Sequence, residues 1–230
     1  MPYDGLDILI KALENDGGIV NHFIENALFF HPNIVIQQTE EMLREAQDGK
    51  LPVRFSTSEF SYTTSDGQNH SRLFANKIEA SKRSKQENIF TPVRPGVKIK
   101  VDPTGNRYVC QTIYTYTGEW VSSGRRISTI KNYMISHIWG NTADPLFFNA
   151  LWNIALIPMH CAFILDKPDS HHKQIKDIKE LCKAICWKLY RPDKLPVADF
   201  IDIPEPKYIE QAIHYIDNNL INIIPNLNPE

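Results

Sequence analysis

The sequence has no uninterrupted apolar run near the ~20 residues that a membrane-spanning helix needs. Its first residues also lack the basic segment and apolar core of a secretory signal peptide, because acidic side chains are spaced among the apolar ones. Both absences argue against the exported and membrane-inserted classes of protein. We therefore expect a cytoplasmic protein with no membrane partner.

The chain also has few cysteines, and they are Cys110, Cys161, Cys182 and Cys186. In the absence of an export signal, we expect buried thiols and not a disulfide framework. Zinc sites usually combine two close pairs of ligands, whereas only Cys182 and Cys186 are close here. Their candidate partners would be His160, His171 and His172. Because the cysteine pair falls on the apolar face of a predicted helix, we do not expect structural zinc.

Several motifs of nucleotide-binding proteins and hydrolases are missing. The chain contains no G-x-x-x-x-G-K-[ST], G-x-G-x-x-G, G-x-S-x-G or H-E-x-x-H pattern. These patterns supply a phosphate-binding loop, a dinucleotide-binding turn, a nucleophilic serine and a zinc-binding helix, respectively. The sequence therefore gives no support to P-loop NTPases, dinucleotide-dependent enzymes, α/β-hydrolases or zincin proteases.

The composition is that of an ordinary globular protein, with 42% hydrophobic and 23% charged residues. A length of 230 residues suits one large domain or two small ones. Most of the chain is therefore expected to fold around a substantial hydrophobic core.

The net charge of −2 hides a basic middle segment. Residues 71–131 hold 12 basic and 4 acidic side chains, whereas residues 1–70 hold 4 and 11. A local cluster of Lys and Arg can bind a nucleic-acid backbone whatever the total charge. We expect such contacts from Arg107, Arg125, Arg126 and Lys131. The alternative is that the acidic ends of the chain fold over this basic segment.

Apolar residues recur at helical spacing near both ends of the chain. They predict three helices in the first 48 residues, a long helix that ends at Tyr190 and a final helix over residues 208–220. The polar run 77–88 is compatible with an exposed helix or a loop. We expect residues 1–95 to form a mainly helical N-terminal module.

The middle of the chain favours strands instead. Val97, Ile99 and Val101 alternate with lysines, which is typical of a half-buried strand. Residues 108–116 and 127–138 are rich in β-branched and aromatic side chains, which suit a pleated sheet. We therefore predict a central antiparallel sheet that carries the basic residues.

Residues 133–167 follow the order strand, long loop, strand and helix. The first strand ends at His137, the second begins as Asn153-Ile154-Ala155-Leu156-Ile157, and a helix follows near His160. This order resembles the HNH, or ββα-metal, nuclease finger. With that finger, the expected fold class is α+β: N-terminal helices, a central antiparallel sheet, and a C-terminal ββα finger followed by helices. The sheet and the finger would belong to a second region, residues 96–230.

The resemblance implies a divalent-metal-dependent DNA endonuclease, of the restriction or defence kind. His137 would be the general base, and imidazole suits that role because its unperturbed pKa lies near neutrality. Asn153 would hold the loop that carries His137. The ligand of the ion, Mg²⁺ or else Mn²⁺, would be His160 or, as second choice, Asp166. A homodimer would suit a palindromic DNA site.

Two positions depart from the pattern of the family. Ser136 stands where the family has a metal-binding aspartate, and Ala162 stands where it has the last Asn or His. These departures favour an alternative, a non-catalytic nucleic-acid-binding or protein-interaction module with a degenerate finger. In that interpretation, His137 is an ordinary hydrogen-bonded histidine and Asn153 caps a turn.

Overall fold

A computed structural model describes residues 13, 18–55, 60–63, 69–72, 74–91, 93–121, 129–166 and 173–225. These residues form a mixed α+β fold, as predicted, with helices packed around two mixed sheets. The helices are α1 (Gly18–Asn26), α2 (Pro32–Asp48), α3 (Lys77–Gln86), α4 (Arg107–Thr117), α5 (Pro145–Phe148), α6 (Met159–Ala162), α7 (Lys173–Tyr190) and α8 (Ile209–Asp217). The strands are β1 (Leu28–Phe30), β2 (Leu51–Val53), β3 (Phe60–Thr63), β4 (Asn69–Arg72), β5 (Asn88–Phe90), β6 (Lys98–Val101), β7 (Tyr133–His137), β8 (Ile154–Pro158) and β9 (Asn222–Ile224).

The first sheet has the strand order β7-β8-β1-β9. Strand β8 pairs antiparallel with both β7 and β1, while β1 and β9 run parallel. All five residues of this central strand β8 are buried. This sheet contains the hairpin of the predicted finger.

The second sheet has the strand order β2-β6-β5-β3-β4. Only β2 and β6 pair in parallel, and the other three pairs are antiparallel. Strand β6 alternates between half-buried and buried positions, which confirms the strand predicted from Val97, Ile99 and Val101. A small separate cluster of buried side chains lies against this sheet, including Val53, Ile89 and Val101.

Both sheets contain strands from either side of residue 95, where the sequence suggested a boundary. Strand β1 pairs with β8 and β9, and strand β2 pairs with β6. The main core likewise combines Phe23 and Phe30 with Trp152 and Ile185. The early helices therefore pack into the same core as the late ones, because their apolar faces need the buried side of α7 and β8 as a partner.

The predicted strand over residues 108–116 is wrong, because this segment lies in helix α4. Its β-branched and aromatic residues favour a strand by propensity, but Val109, Ile113 and Thr117 recur every four residues and are buried on one helical face. The Asp102 carboxylate accepts from the Tyr108 backbone N–H, and Gly118 ends the helix at φ 69°. Tertiary burial and capping outweigh β propensity here.

The structure confirms several of the predicted helices and only part of one predicted strand. The run 77–88, left open between helix and loop, is mostly helix α3, with the Asn76 side chain accepting from two backbone N–H groups at its start. Helices α7 and α8 confirm the late helices. Strand β7 accounts for only the second half of the predicted run 127–138, and strand β1 was missed because three residues carry too little periodicity. The first predicted helix lies mostly outside the described residues.

Among the residues that the structure describes, no helix has the length and apolar character needed to cross a membrane.

Candidate active site around His137

The site is built on the hairpin of β7 and β8. The two strands pair over their full length, from Tyr133 opposite Pro158 to His137 opposite Ile154. The chain then turns through α6 and comes back along the hairpin, so that Leu165 lies beside His137 in the wall of one cavity. The order strand, loop, strand and helix predicted from the sequence is therefore present.

Asn153 fixes the loop between the two strands. Its side chain is fully buried, and its Oδ1 accepts from the Trp139 backbone N–H at 2.8 Å. Its Nδ2 donates to the carbonyl oxygens of Gly140 at 3.1 Å and Phe147 at 2.9 Å. Three hydrogen bonds from one buried amide hold both ends of the loop, so the residues after His137 have a defined position.

His137 itself is held by the same loop. Its Nε2 lies 2.9 Å from the Phe148 carbonyl oxygen, and its ring stacks on the Phe148 ring at 5.4 Å and 11°. A carbonyl can only accept, so Nε2 carries the proton and Nδ1 keeps its lone pair. Burial, and then the positive charge of Arg54, lower the pKa of His137 to about 4. The imidazole is therefore neutral at pH 7 and able to accept a proton.

A cavity of about 280 Å³ opens next to His137. Trp139 and Leu165 form part of its wall, and Lys179 and Lys183 contribute from helix α7. Both lysines are partly buried, and Lys183 pairs with Glu180 at 2.8 Å. The wall of the cavity therefore combines one histidine with two lysines.

Arg54 interacts electrostatically with both His137 and Asp166. Arg54 follows strand β2, and its guanidinium donates to the Asn106 side-chain oxygen at 2.7 Å. Burial lowers the pKa of Arg54, while the carboxylates of Asp102 and Asp166 act to raise it. Arg54 in turn acts on His137, and Asp166 directly follows Leu165, which lines the cavity.

Asp102 is close to this region but already has its partners. It is fully buried, and its two oxygens accept from the backbone N–H groups of Thr104, Gly105 and Tyr108 at 2.7–2.8 Å. A carboxylate with this many donors serves as a helix cap. Asp166, by contrast, is exposed to solvent.

His160, the first-choice metal ligand, lies away from His137. It follows Pro158, which pairs with Tyr133, whereas His137 is at the other end of the ladder. Four residue steps separate these ends, which is roughly 13 Å along a strand. His160 instead meets His22 of helix α1, with 3.1 Å between the two Nε2 atoms. His137 and His160 therefore do not share one ion.

The predicted nucleic-acid contacts are only partly described. Arg107, at the start of α4, and Lys131, before β7, are both exposed. Arg107 follows Asn106, whose side-chain oxygen accepts from Arg54. Arg125 and Arg126 lie outside the described residues.

Sequence reasoning missed Arg54, Lys179 and Lys183 as members of the site. Arg54 precedes His137 by 83 residues, and the two lysines looked like the solvated face of an amphipathic helix. No local pattern marks such residues, because only the packing of β2 and α7 around the hairpin brings them to the histidine.

Comparisons with curated proteins and with solved structures gave no match. One family model matches residues 30–224, a span that includes the β7–β8 hairpin, the cavity and the whole second sheet. The chain belongs to the family described as uncharacterised protein PM1201.

Proposed function

We propose that the chain is a divalent-metal-dependent endonuclease that hydrolyses phosphodiester bonds in DNA at the cavity beside His137. The observation that carries this proposal is the arrangement of His137 and Asn153. A strand-end histidine has its tautomer set by the Phe148 carbonyl, and a buried asparagine holds the loop that supplies this carbonyl. A histidine that only fills the core would need a hydrogen-bond partner, but it would not need a buried asparagine to fix the loop that supplies this partner.

His137 would act as the general base. Its neutral imidazole accepts a proton through Nδ1 from the water that attacks phosphorus, while the bond from phosphorus to the leaving oxygen breaks and that oxygen takes a proton from solvent. A pKa of about 4 makes His137 a weak base in the free protein. A bound phosphate adds negative charge beside Arg54, and this charge raises the pKa of His137 towards the value that a base needs.

The phosphate would be held by the cations around the cavity. Lys179 and Lys183 line it, and Arg54 is close enough to act on His137. Exposed Arg107, and exposed Lys131 at the other end of β7, would contact the nucleic-acid backbone outside the cavity, where contacts position the substrate without reading its sequence.

Asp166 is the residue that would hold the ion. Mg²⁺ is usually bound by one or two carboxylates, with substrate phosphates and waters completing its shell, so a single exposed acid fits this mode of binding. When bound, the ion supplies positive charge that stabilises the developing charge on the phosphate. The distant His160 is not part of this proposal.

The test is incubation of the purified chain with supercoiled plasmid in Mg²⁺, Mn²⁺ or EDTA. We expect metal-dependent cleavage that His137→Ala lowers by about 10²- to 10⁴-fold, with DNA binding retained. His214→Ala removes an exposed histidine on α8 and should cleave like the parent chain. Asp166→Asn should raise the Mg²⁺ concentration needed for cleavage.

The second candidate is a non-catalytic nucleic-acid-binding or protein-interaction module, which Ser136 and Ala162 favour because neither side chain is a good ligand for a hard cation. Intact plasmid in every lane, together with DNA retardation that weakens with salt, would support the binding module and contradict the nuclease. Intact plasmid without any retardation would favour protein interaction.

A further inference from the structure

A group of side chains that are able to bind a metal ion lies at the opposite end of the hairpin from His137. It consists of His22 from helix α1 with His160 and Cys161 from helix α6. The two imidazole Nε2 atoms are 3.1 Å apart, and one ligand atom from each of the three side chains lies within 4.8 Å of the others. We refer to these three residues as the His-His-Cys group.

The fold brings these residues together from distant parts of the chain. His22 and His160 are 138 positions apart. The Tyr133 hydroxyl donates to the Asn26 carbonyl at 3.1 Å and so fastens the end of α1 to strand β7. The Met159 N–H donates to the Asn132 carbonyl at 2.8 Å and fixes the start of α6 beside the same strand. The group therefore stands on a preformed scaffold.

The spacing suits a tetrahedral ion. Bonds of about 2.0 to 2.1 Å from zinc to nitrogen and 2.3 Å from zinc to sulfur place two nitrogens about 3.3 Å apart and a nitrogen and a sulfur about 3.6 Å apart. The observed 3.1 Å between His22 and His160 is close to the first value. A separation of 4.8 Å or less lets Cys161 reach the second with a shift of about 1 Å.

The types of ligand decide which ion is suited. Imidazole and thiolate favour zinc and similar borderline or soft metals, whereas Mg²⁺ and Ca²⁺ require oxygen ligands. Cys161 is buried, His22 is partly buried and His160 is exposed, so the group faces solvent on one side. Three protein ligands with an exposed side leave the fourth position to water or another small ligand.

We propose that His22, His160 and Cys161 bind one Zn²⁺ ion, at a site separate from the Mg²⁺-dependent cavity beside His137. The ion links α1 to the end of the β7–β8 hairpin. This zinc site goes beyond the proposed nuclease function, because the His-His-Cys group contains neither the base nor the phosphate-binding cations of the cavity beside His137.

The experiment uses the full chain, freed of metal with EDTA and then dialysed, without nucleic acid. Titration with Co²⁺ should give tetrahedral ligand-field absorption and a thiolate-to-cobalt charge-transfer band, both saturating at one ion per chain. Added Zn²⁺ should displace the Co²⁺ and raise the thermal midpoint of unfolding.

Matched variants separate the group from the other histidines and cysteines. Cys161→Ser should remove the charge-transfer band and weaken Zn²⁺ binding by at least about tenfold, and His22→Gln should weaken binding to a similar degree while keeping the band. Cys110→Ser and His214→Ala, outside the group, should bind Zn²⁺ like the parent chain. Circular dichroism of each metal-free variant checks its folding, and His22→Gln provides the test if Cys161→Ser does not fold.

Equal Zn²⁺ affinity in the parent chain, Cys161→Ser and His22→Gln would overturn the proposal, as would a cobalt spectrum without the thiolate band. The two histidines would then form only a hydrogen-bonded pair. His137→Ala should leave Zn²⁺ binding unchanged. Loss of Zn²⁺ binding therefore tests the zinc site, and loss of plasmid cleavage tests the nuclease, independently of each other.

Discussion

At the scale of single residues, the environment of His137 sets its protonation state. Burial disfavours the imidazolium most, and the charge of Arg54 adds to that effect, so the pKa falls to about 4. The Phe148 carbonyl acts in the opposite direction, since it accepts from the ring. The same environment keeps the imidazole neutral at pH 7 and makes the folded state sensitive to acid.

We predict that the free energy of unfolding falls by up to about 3 kcal/mol as the pH drops from 6.5 to 4 because of His137 alone. In this range His137 is protonated in the unfolded chain, where its pKa is near 6.5, but stays neutral in the folded chain. The contribution is therefore fully present above pH 6.5 and lost as the pH approaches 4. Urea unfolding at pH 7.5 and 4.5 measures this change in the free energy of unfolding.

The control for this prediction is His137→Gln, which cannot titrate in this range. The fall in stability between pH 7.5 and 4.5 should be smaller in His137→Gln than in the parent chain. Parallel pH profiles for the two proteins would show that His137 is protonated as easily in the folded state as in the unfolded one.

At the scale of elements, helix α4 shows how burial selects secondary structure. Its residues favour a strand by type, yet Val109, Ile113 and Thr117 lie on one buried face. The Thr117 hydroxyl donates to the Ile113 carbonyl, and Gly118 adopts the left-handed conformation that ends the helix. The amphipathic period therefore decides the structure, because a strand would send these residues to both faces.

We predict that Ile113→Ala lowers the free energy of unfolding by about 2 to 5 kcal/mol, because it leaves a cavity under α4. Ile78→Ala makes the same change at a helix position that is 71% exposed, and it should alter stability by less than about 0.5 kcal/mol. Chemical denaturation of both variants gives the comparison. Similar losses at the two positions would contradict the burial of this face of α4.

At the scale of the whole molecule, Arg94 joins the second sheet to the loop between β7 and β8. It lies between β5 and β6, and its guanidinium bonds both carboxylate oxygens of Asp144 at 3.0–3.1 Å. Asp144 is buried and accepts from the Leu146 N–H at the start of α5. Helix α5 ends at Phe148, whose carbonyl holds His137. One ion pair therefore connects the two sheets through the residues that position His137.

We predict that Arg94→Met lowers the free energy of unfolding by about 2 to 4 kcal/mol, since it leaves the Asp144 carboxylate buried without its cation. Arg83→Met removes the same side chain from a pair with Glu87 that is more exposed, and should cost less than about 1 kcal/mol. Denaturation of the two variants measures the difference. Equal losses would show that the Asp144 pair is no more important than a surface pair.

The sequence by itself determined those features whose signal is local. The spacing of apolar residues on α7 places its buried face, and Ile175, Ile178, Leu181, Cys182, Ile185 and Cys186 are all in the core. The order of strand, loop and strand around His137 and Asn153 could also be predicted, because the residues that form it are within 25 positions of one another.

Only the tertiary structure decided which distant segments meet. Strand β1 lies between β8 and β9, Arg54 lies near His137, and His160 faces His22. Periodicity says which face of an element is buried, but not against which other element, because any apolar face can in principle cover another. For the same reason His160 looked like a partner of His137: the two are close in the chain, and the length of the β7–β8 ladder keeps them apart.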